Sequence, residues 1–344
     1  MKKILVTGAN GFVGTQVCKE LLNHNYMVTA LHRESSDISS LKDLDLKLAA
    51  ADVRDKTALE KIFPGHDAII HIAALFRQAK HPDSVYHEIN VTGVRNVFEV
   101  AINQNIKRII HCSTVGVHSH IPNPPADETE EIRPGDIYQE TKALGEKLAL
   151  EYFSQGKVQG NVIRPAMIWG PADSRTLKLF KGIANRKFPI IGNGRTLLHW
   201  VIVSDLARAF RLALEKSETN NQVFIISGEK AIELEYLVKT IAAAYNVKPP
   251  AFKIPALPIQ ILGSIVETIC IPFGIEPPIY RRRVDFFTKT RAFDSSKARR
   301  LLGYKPETSF EDEVYKIAKW YSENNWISKP VLPIEAKFNP QKAA

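Results

Sequence analysis

Short apolar runs rich in β-branched residues alternate with amphipathic segments through the first half of the chain. The apolar runs predict buried strands at Ile4–Thr7, Met27–Leu31, Ala68–Ile72, Arg108–Cys112 and Val158–Ile163. The segments between them have helical periodicity and predict helices at Gly14–Asn23, Thr57–Ile62, Val91–Gln104 and Asp136–Phe153. This alternation predicts an α/β fold, a parallel sheet that helices cover on both faces.

The pattern changes after about residue 165, where prolines gather around helical stretches such as Leu234–Tyr245. The change predicts a smaller, partly helical C-terminal lobe. We therefore expect a sheet domain at residues 1–165, to which residues of about 195–228 return, a substrate-binding lobe at 166–327 and a loose polar tail at 328–344. The apolar segment Ile254–Tyr280 is interrupted by acids and prolines, so it falls short of the roughly 20 continuous apolar residues of a membrane-spanning helix.

Three glycines stand between the first predicted strand and the first predicted helix. In TGANGFVG, Gly8 permits a tight turn, Gly11 lets a pyrophosphate approach the backbone and Gly14 allows the helix to pack on the strand. The helix N-terminus then offers N–H groups to the phosphates. This loop predicts a dinucleotide-binding site in a doubly wound, Rossmann-type sheet, and its remaining predicted cofactor contacts are Asn10, Phe12 and Val13.

The residues after the second predicted strand indicate which dinucleotide binds. An NAD site usually has an acid there for the ribose 2′-hydroxyl, but His32 takes its place and Arg33 follows, with serines nearby. A guanidinium suits a 2′-phosphate, so we predict NADP as the preferred cofactor, with NAD possible. The alternative is that Arg33 stacks on the adenine or caps a surface.

Two further strand ends face the same predicted crevice. Asp52 and Val53 follow the apolar run Leu48–Ala51, and Ala73 and Ala74 come directly after the predicted strand Ala68–Ile72. Small residues at the carboxyl end of a strand leave room for a ligand, so we predict adenine and ribose contacts here. Core packing is the alternative for each pair.

A phenol and an ammonium lie four residues apart in YQETK. This spacing places Tyr138 and Lys142 on one face of a predicted helix, where the cation would lower the phenol's pKa and make it a usable acid/base. Upstream, a predicted strand ends at Ser113 and Thr114, whose hydroxyls could hold a substrate oxygen. Simple strand termination is the alternative for these two residues.

Composition and charge indicate which binding partners and which compartment to expect. The net charge of +9 is scattered among acids, and Arg281–Arg283 is the one dense basic cluster, without the aromatic interleaving of RNA-binding proteins, so we expect no nucleic-acid partner. The three cysteines have no metal-like spacing, which predicts no metal site and a reducing compartment. Met1–Lys3 lead directly into the first predicted strand, so we expect no signal peptide and a cytoplasmic protein.

Taken together, these motifs resemble the extended short-chain dehydrogenases/reductases. The resemblance covers nearly the whole chain, and the motifs in order are TGANGFVG, DVRD, HIAA, NVTGVRNV, STVGV, the Tyr138/Lys142 pair, RPAMIWGP, VIVSDLARA and FDSSKARRLLGYKP. It implies that Tyr138 is the general acid/base, that Lys142 lowers its pKa and binds the nicotinamide ribose, and that Thr114 orients the substrate. It also implies a homodimer and further cofactor contacts at Asn90, Ser113, Pro165 and Ile168.

The expected substrate class follows from positions at which this sequence differs from the nucleotide-sugar enzymes of the family. Nucleotide-sugar enzymes of the family often have an asparagine where Met167 stands, and a diphosphate-binding arginine where Leu198-His199 stands, although Arg195 could compensate. Arg33 and the motif IRPAMIWGP look like those of dihydroflavonol 4-reductases and their bacterial relatives. The later stretch RVDFFTKTRAFDSSKARRLLGY, Arg283 to Tyr304, looks like that of 3β-hydroxysteroid dehydrogenases. We therefore predict an oxidoreductase acting on a hydroxyl or ketone of a bulky, mostly apolar small molecule. The alternatives are a nucleotide-sugar epimerase or dehydratase and a non-catalytic NADP sensor.

The sequence of the Ile254–Tyr280 segment allows three interpretations. It would suit a lid over an apolar substrate. With Arg281–Arg283 beside it, it could also contact a membrane surface. Ordinary packing between the two lobes is the third interpretation.

Overall fold

The computed structural model describes residues 2–76, 81–250, 252–270 and 281–332, and thirteen strands lie within this part of the chain. In chain order they are β1 (Lys3–Thr7), β2 (Met27–His32), β3 (Lys47–Ala50), β4 (Ala68–His71), β5 (Arg108–Cys112), β6 (Gln159–Pro165), β7 (Met167–Trp169), β8 (Ile190–Ile191), β9 (Leu197–Leu198), β10 (Trp200–Ile202), β11 (Gln222–Ile226), β12 (Ile232–Glu233) and β13 (Lys253–Ile254).

Seven of these strands form one parallel sheet in the order β3-β2-β1-β4-β5-β6-β11. The chain moves outward from β1 to β3, returns to β4 on the other side of β1, and continues outward from there. The order therefore reverses between β1 and β4, and the carboxyl ends of these two strands flank the crevice in which such sheets bind ligands.

The described helices, in chain order, are α1 (Phe12–Asn23), α2 (Lys56–Ile62), α3 (Asp83–His87), α4 (Gly93–Asn103), α5 (Ile137–Ser154), α6 (Leu177–Ala184), α7 (Val203–Glu215), α8 (Leu234–Ala244), α9 (Ala256–Cys270), α10 (Arg281–Thr288), α11 (Ser296–Leu302) and α12 (Phe310–Glu323). α1, α7 and α11 bury the sheet face that contains Ile4, Val6 and Ile110. α2, α4 and α5 bury the opposite face, with Leu5 and Ile109. The predicted α/β fold with helices on both faces is confirmed.

The helix predicted at Val91–Gln104 begins earlier in the structure. α3 continues through a π-helical turn at Glu88–Thr92 into α4. α5 crosses closely at this turn, since a Cβ built on Gly145 would lie only 2.4 Å from the carbonyl oxygen of Asn90. The extra residue in the turn is a feature that periodicity over a few residues does not reveal.

A second core forms the lobe outside the sheet. The short strands pair as β7 with β10, β9 with β12, and β8 with β13. Trp169 and Trp200 stack with ring centroids 4.5 Å apart, and Phe180, Leu237 and Tyr321 are buried in the same cluster. Stacked aromatic rings contribute large buried apolar area, so this lobe has its own hydrophobic core.

The predicted domain division stays a prediction, although β11 and α11 from the later part of the chain pack with the sheet. Residues 271–280 of the predicted lid and 333–344 of the predicted tail lie outside the described residues. None of the helices in the described part has the combination of length and apolar character needed to cross a bilayer.

Candidate active site

The glycine loop joins β1 to α1 and packs against the segment that follows β4. Gly8 has a φ of +68°, and a Cβ built there would lie 2.9 Å from the backbone N and Cα of Ala73. A Cβ on Gly14 would lie 2.1 Å from the carbonyl oxygen of Gly8. Gly11 is different, because its φ is −76° and its Cβ would meet only that same oxygen, at 3.2 Å. Two of the glycines therefore permit backbone packing, and the third leaves the surface in front of α1 open.

The N-terminus of α1 lies at this open surface. Gly11 precedes the helix and has no side chain to cap it. The N–H groups of Phe12, Val13 and Gly14 are the first of the helix and have no acceptor within it. Together with the positive end of the helix dipole they form an anion site, so the residues present fit the pyrophosphate of a dinucleotide.

The loop after β2 lies next to the glycine loop. The Asn10 amide donates to the carbonyl oxygen of Asp37 at 3.1 Å, and the hydroxyls of Thr15 and Ser40 are 3.0 Å apart. These contacts fix the segment that begins with Arg33. Asn10 thus joins two parts of the predicted site, while its predicted contact with the cofactor stays a prediction.

Arg33 is exposed at the end of β2 and lies near Asp52, which follows β3. Burial raises the pKa of Asp52, but hydrogen bonds from Arg54 and the charges of Arg54 and Arg33 outweigh it and hold the pKa below its usual range. Arg54 pairs with both Asp52 and Glu88. The guanidinium of Arg33, in contrast, has no hydrogen-bond or ion-pair partner among the described residues and is free to bind an anion.

Tyr138 lies in the first turn of α5, just after the cap of the helix. The Asp136 carboxylate accepts a hydrogen bond from the Gln139 N–H at 2.9 Å, which fixes the start of the helix. The ring of Tyr138 is half-buried and meets Phe76 edge-on, with centroids 5.1 Å apart. Phe76 comes from the segment after β4, so the ring of Tyr138 lies against the chain that leaves the carboxyl end of that strand.

Lys142 lies one turn further along α5 and is buried, with 3% of its surface exposed. Its Nζ donates to the carbonyl oxygen of Cys112, the last residue of β5, at 2.6 Å. Burial lowers the pKa of Lys142, while neighbouring acidic groups oppose the shift. The amine is therefore held beneath the crevice on the same helix face as Tyr138.

Ser113 and Thr114 follow β5 directly. Thr114 Oγ1 accepts from the Gly116 N–H at 3.0 Å, and the side chain remains partly exposed. Ser113 is 3% exposed, and its Oγ has no hydrogen-bond partner among the described residues. A buried hydroxyl without a partner is costly, so Ser113 is a candidate for a contact that a bound ligand completes.

The other residues predicted to contact the cofactor differ in how exposed their side chains are. Asn90 is 1% exposed, and its amide binds the backbone of Leu75 and the hydroxyl of Thr141. Val53 is 6% exposed and packs near Gly93. Pro165 is buried at the end of β6, whereas Ile168 is partly exposed and Ala74 is exposed. Their contacts with a cofactor stay predictions, and Asn90 already has a structural role.

A cluster at the mouth of the site was not predicted from the sequence. The guanidinium of Arg175 lies 5.1 Å from the ring centre of Phe12 and 5.9 Å from that of Phe76. It is held by the buried carboxylate of Asp173 through two hydrogen bonds, at 2.8 and 2.9 Å, and it donates to the carbonyl oxygen of Ile168 at 3.1 Å. Arg175 thus connects the lobe to both the glycine loop and the aromatic neighbour of Tyr138. The one sequence signal was an Asp-x-Arg spacing after a strand.

Two histidines are buried side by side beneath Lys142. His71 and His111 are paired across β4 and β5, with ring centroids 5.4 Å apart. Thr7 Oγ1 accepts from two backbone N–H groups, so its own hydrogen points at His71 Nδ1, 2.7 Å away, and the ring proton lies on Nε2. Burial and the charge of Lys142 lower the pKa of His71 to about 3 and that of His111 well below its usual value. Among the described residues, no cluster of three or more His, Cys, Asp or Glu is arranged to hold a metal ion.

These neutral histidines predict a loss of stability in acid. His71 has a folded-state pKa of about 3 against 6.5 for the free group, so its contribution is present above pH 6.5 and is lost as the pH falls toward 3. Between pH 7 and 5.5 this amounts to about 1 kcal/mol of unfolding free energy. We expect His71→Asn to reduce the pH dependence by that amount in urea titrations at the two pH values. An unchanged dependence in His71→Asn would contradict the prediction.

The site combines a glycine loop at the reversal point of the sheet with a Tyr–Lys helix at the carboxyl ends of the central strands. The family model described as "NAD dependent epimerase/dehydratase family" matches residues 4–227. The chain belongs to this family. The matched residues include the glycine loop, Thr114, Tyr138 and Lys142. The expected family membership is therefore confirmed.

Relatives of this epimerase/dehydratase-family chain differ in activity. It is 26% identical over 356 residues to the Arabidopsis thaliana 3beta-hydroxysteroid-dehydrogenase/decarboxylase isoform 2, covering 92% of this chain and 62% of that protein's length. It is also 26% identical over 302 residues to the Escherichia coli O157:H7 N-acetyl-alpha-D-glucosaminyl-diphospho-ditrans,octacis-undecaprenol 4-epimerase, covering 86% and 88%. Among solved structures, that of gox2253 has a TM-score of 0.81 at 28% identity and covers 95% of this chain and 100% of its own. Family membership is shared by dehydrogenases and epimerases, so the reaction must be inferred from the site.

Proposed function

We propose that this chain is an NADP-preferring oxidoreductase that exchanges a hydride between the nicotinamide and a hydroxyl or ketone carbon of a bulky, mostly apolar substrate. The observation that carries the proposal is the hydrogen bond from the buried Lys142, one turn after Tyr138 on α5, to the carbonyl oxygen of Cys112, two residues before Thr114. An acid/base, a cation and a hydroxyl donor at one ligand crevice are the groups that proton transfer at a carbinol oxygen requires.

Each residue has a distinct task in this proposal. When bound, the cofactor supplies hydride donor or acceptor chemistry. Thr114 holds the substrate oxygen, and Tyr138 gives its proton to that oxygen in reduction or takes the proton in oxidation. Lys142 stabilises the phenolate left when Tyr138 has lost its proton. Phe76 and Arg175 cover the mouth of the site and limit access of water.

The proposed substrate class rests on Leu198 and His199, which stand where nucleotide-sugar enzymes of the family often have a diphosphate-binding arginine. Leu198 is fully buried. His199 is 3% exposed, with Nε2 near the Gly228 carbonyl oxygen and Nδ1 accepting from the Phe293 N–H. Burial lowers the pKa of His199 to about 4, so the ring is neutral near pH 7. A neutral, enclosed histidine offers no charge to a diphosphate, which favours an uncharged substrate.

A second candidate is a nucleotide-sugar epimerase or dehydratase, which the E. coli relative favours. The exposed Arg195 is the cation that could serve a diphosphate in that case. The two functions differ in what happens to the cofactor. A screen of bulky ketones and alcohols should show stoichiometric oxidation of added NADPH, or reduction of NADP, at 340 nm. Turnover of a nucleotide sugar with no net change in added cofactor would overturn the proposed function.

For assembly and location we propose a homodimer in the cytoplasm. The proposed contact is formed by α4 and α5. Support for an interface on α5 comes from Leu144, which is 39% exposed on the outer side of that helix.

The preference for NADP gives a direct prediction. The unpartnered guanidinium of Arg33 would bind the 2′-phosphate, and charge-assisted hydrogen bonds of this kind contribute about 1.5–3 kcal/mol. We expect Arg33→Asp to lower the ratio of kcat/KM for NADPH over NADH by about 100-fold, because an attraction becomes a repulsion. Arg300→Asp makes the same change in net charge on the exposed side of α11 and should leave the ratio unchanged. An unchanged ratio in Arg33→Asp would remove Arg33 from 2′-phosphate binding.

A further inference from the structure

Exposed apolar side chains are concentrated in one short stretch of the lobe. The described residues include thirteen large hydrophobic side chains that are more than a third exposed, and six of them fall between residues 252 and 265. These six are Phe252 at 83%, Ile254, Leu257 at 66%, Ile261, Leu262 and Ile265. Scattered exposed leucines are ordinary on protein surfaces, but a contiguous group of this kind marks an interaction site.

The arrangement of α9 is the reverse of an ordinary surface helix. The residues with less exposure follow the spacing of one helix face, and they are Ala256, Ile259, Gly263 and Val266. The large apolar side chains that the structure describes between them, Leu257, Ile261, Leu262 and Ile265, are all exposed. A helix on a globular protein usually has polar residues on its outer face. Here the outer face is apolar, so packing within the protein does not account for it.

Basic residues stand before and after this segment in the sequence, and charged residues are missing from most of it. The sequence has no Asp, Glu, Lys or Arg from residue 254 to 266. Lys248 is exposed before β13, while Lys253 is paired with Glu235. After α9, the neighbouring α10 begins with Arg281, Arg282 and Arg283 and packs against it. An apolar helix with basic residues before and after it in the sequence complements a surface that is apolar inside and negatively charged outside.

We propose that α9, with Phe252 and Ile254 before it, docks on the surface of an anionic lipid bilayer. The aliphatic face enters the boundary between headgroups and acyl chains, and the basic residues lie at the phosphates. α9 has 15 residues, fewer than the roughly 20 that a spanning helix needs, so it lies along the surface. A bilayer fits better than a protein partner because the exposed face of α9 is a run of aliphatic side chains without the tyrosine, tryptophan and arginine anchors of protein interfaces. The proposal is independent of the proposed reaction.

Co-sedimentation with vesicles tests the docking. The full chain is mixed with phosphatidylcholine vesicles, with or without phosphatidylglycerol, at low and high salt. We expect binding to the vesicles that contain phosphatidylglycerol, weaker binding to phosphatidylcholine alone, and a decrease with salt. The double variant Leu257→Ser/Ile261→Ser should lower the partition coefficient by about tenfold or more. Leu301→Ser, which removes a leucine 38% exposed on α11, should bind as the unaltered chain does.

The same variants separate the docking from other occupants of the face. Both should unfold at the temperature of the unaltered chain, because the replaced side chains are exposed. No binding to either vesicle, or equal binding of the double variant, would overturn the proposal. So would a double variant that changes the oligomeric state in light scattering or the KM for a water-soluble substrate, because the face would then contact a second copy or the substrate.

Discussion

Tyr138→Phe is expected to lower kcat by about 10³-fold, because a positioned acid/base contributes roughly 10² to 10⁴ in rate. The substitution removes one oxygen and keeps the ring that meets Phe76 at 5.1 Å. The glycine loop and Arg33 are unaffected, so the Kd for NADP should stay within about twofold. The measurements are steady-state turnover of an accepted ketone and fluorescence titration with the cofactor.

Tyr152 provides the matched control for this change. It lies on the same helix, α5, and its hydroxyl is 3.4 Å from Glu99, on the side of the helix that packs against α4. Tyr152→Phe should therefore turn over at the rate of the unaltered chain. Full activity in Tyr138→Phe would exclude Tyr138 as the acid/base. A parallel loss of cofactor affinity would indicate a structural role instead.

The sheet could be predicted because its information is local. Runs such as Ile4–Val6 in β1 are continuous apolar stretches, and buried parallel strands have this pattern. The two-residue strands of the lobe, such as β8 and β13, could not be predicted. They are strands only because distant segments pair, Lys253 with Ile190 and Ile254 with Ile191. Local propensity does not contain such pairings.

Some residues of the candidate site could likewise be predicted from the sequence, and others could not. Gly8, Gly11 and Gly14, like Tyr138 and Lys142, are close in sequence, so their spacing alone indicates a shared task. Phe12, Phe76 and Arg175 come from three distant segments, and their contact exists only in the folded chain. The burial of the amide of Asn90 in hydrogen bonds with Leu75 and Thr141 was equally hidden, because burial depends on what packs around a residue.

Gly14→Ala is expected to destabilise the protein by about 3 kcal/mol and to abolish cofactor binding, since overpacking against a rigid neighbour costs about 1–3 kcal/mol or more. The added Cβ would lie 2.1 Å from the carbonyl oxygen of Gly8, and backbone cannot rotate away as a side chain can. α1 must then move off β1, and the N–H groups of Phe12 and Val13 leave the position where they would meet the pyrophosphate. Urea unfolding gives the free energy, and titration with NADP gives the affinity.

Two other glycines make the interpretation specific. Gly182→Ala on α6 places a Cβ 3.5 Å or more from Phe188, which is an ordinary contact. The free energy of unfolding should therefore stay within about 0.5 kcal/mol or rise slightly, because alanine favours helix.

Gly11→Ala should keep the fold, since its φ suits any residue and its Cβ meets only one atom at 3.2 Å. The methyl group, however, occupies the surface in front of α1. We expect Gly11→Ala to weaken NADP binding about tenfold or more with little change in the unfolding free energy. Unaltered affinity in Gly11→Ala would mean that no pyrophosphate lies against the glycine loop, whereas unaltered stability in Gly14→Ala would mean that α1 and β1 are not packed as closely as the structure shows.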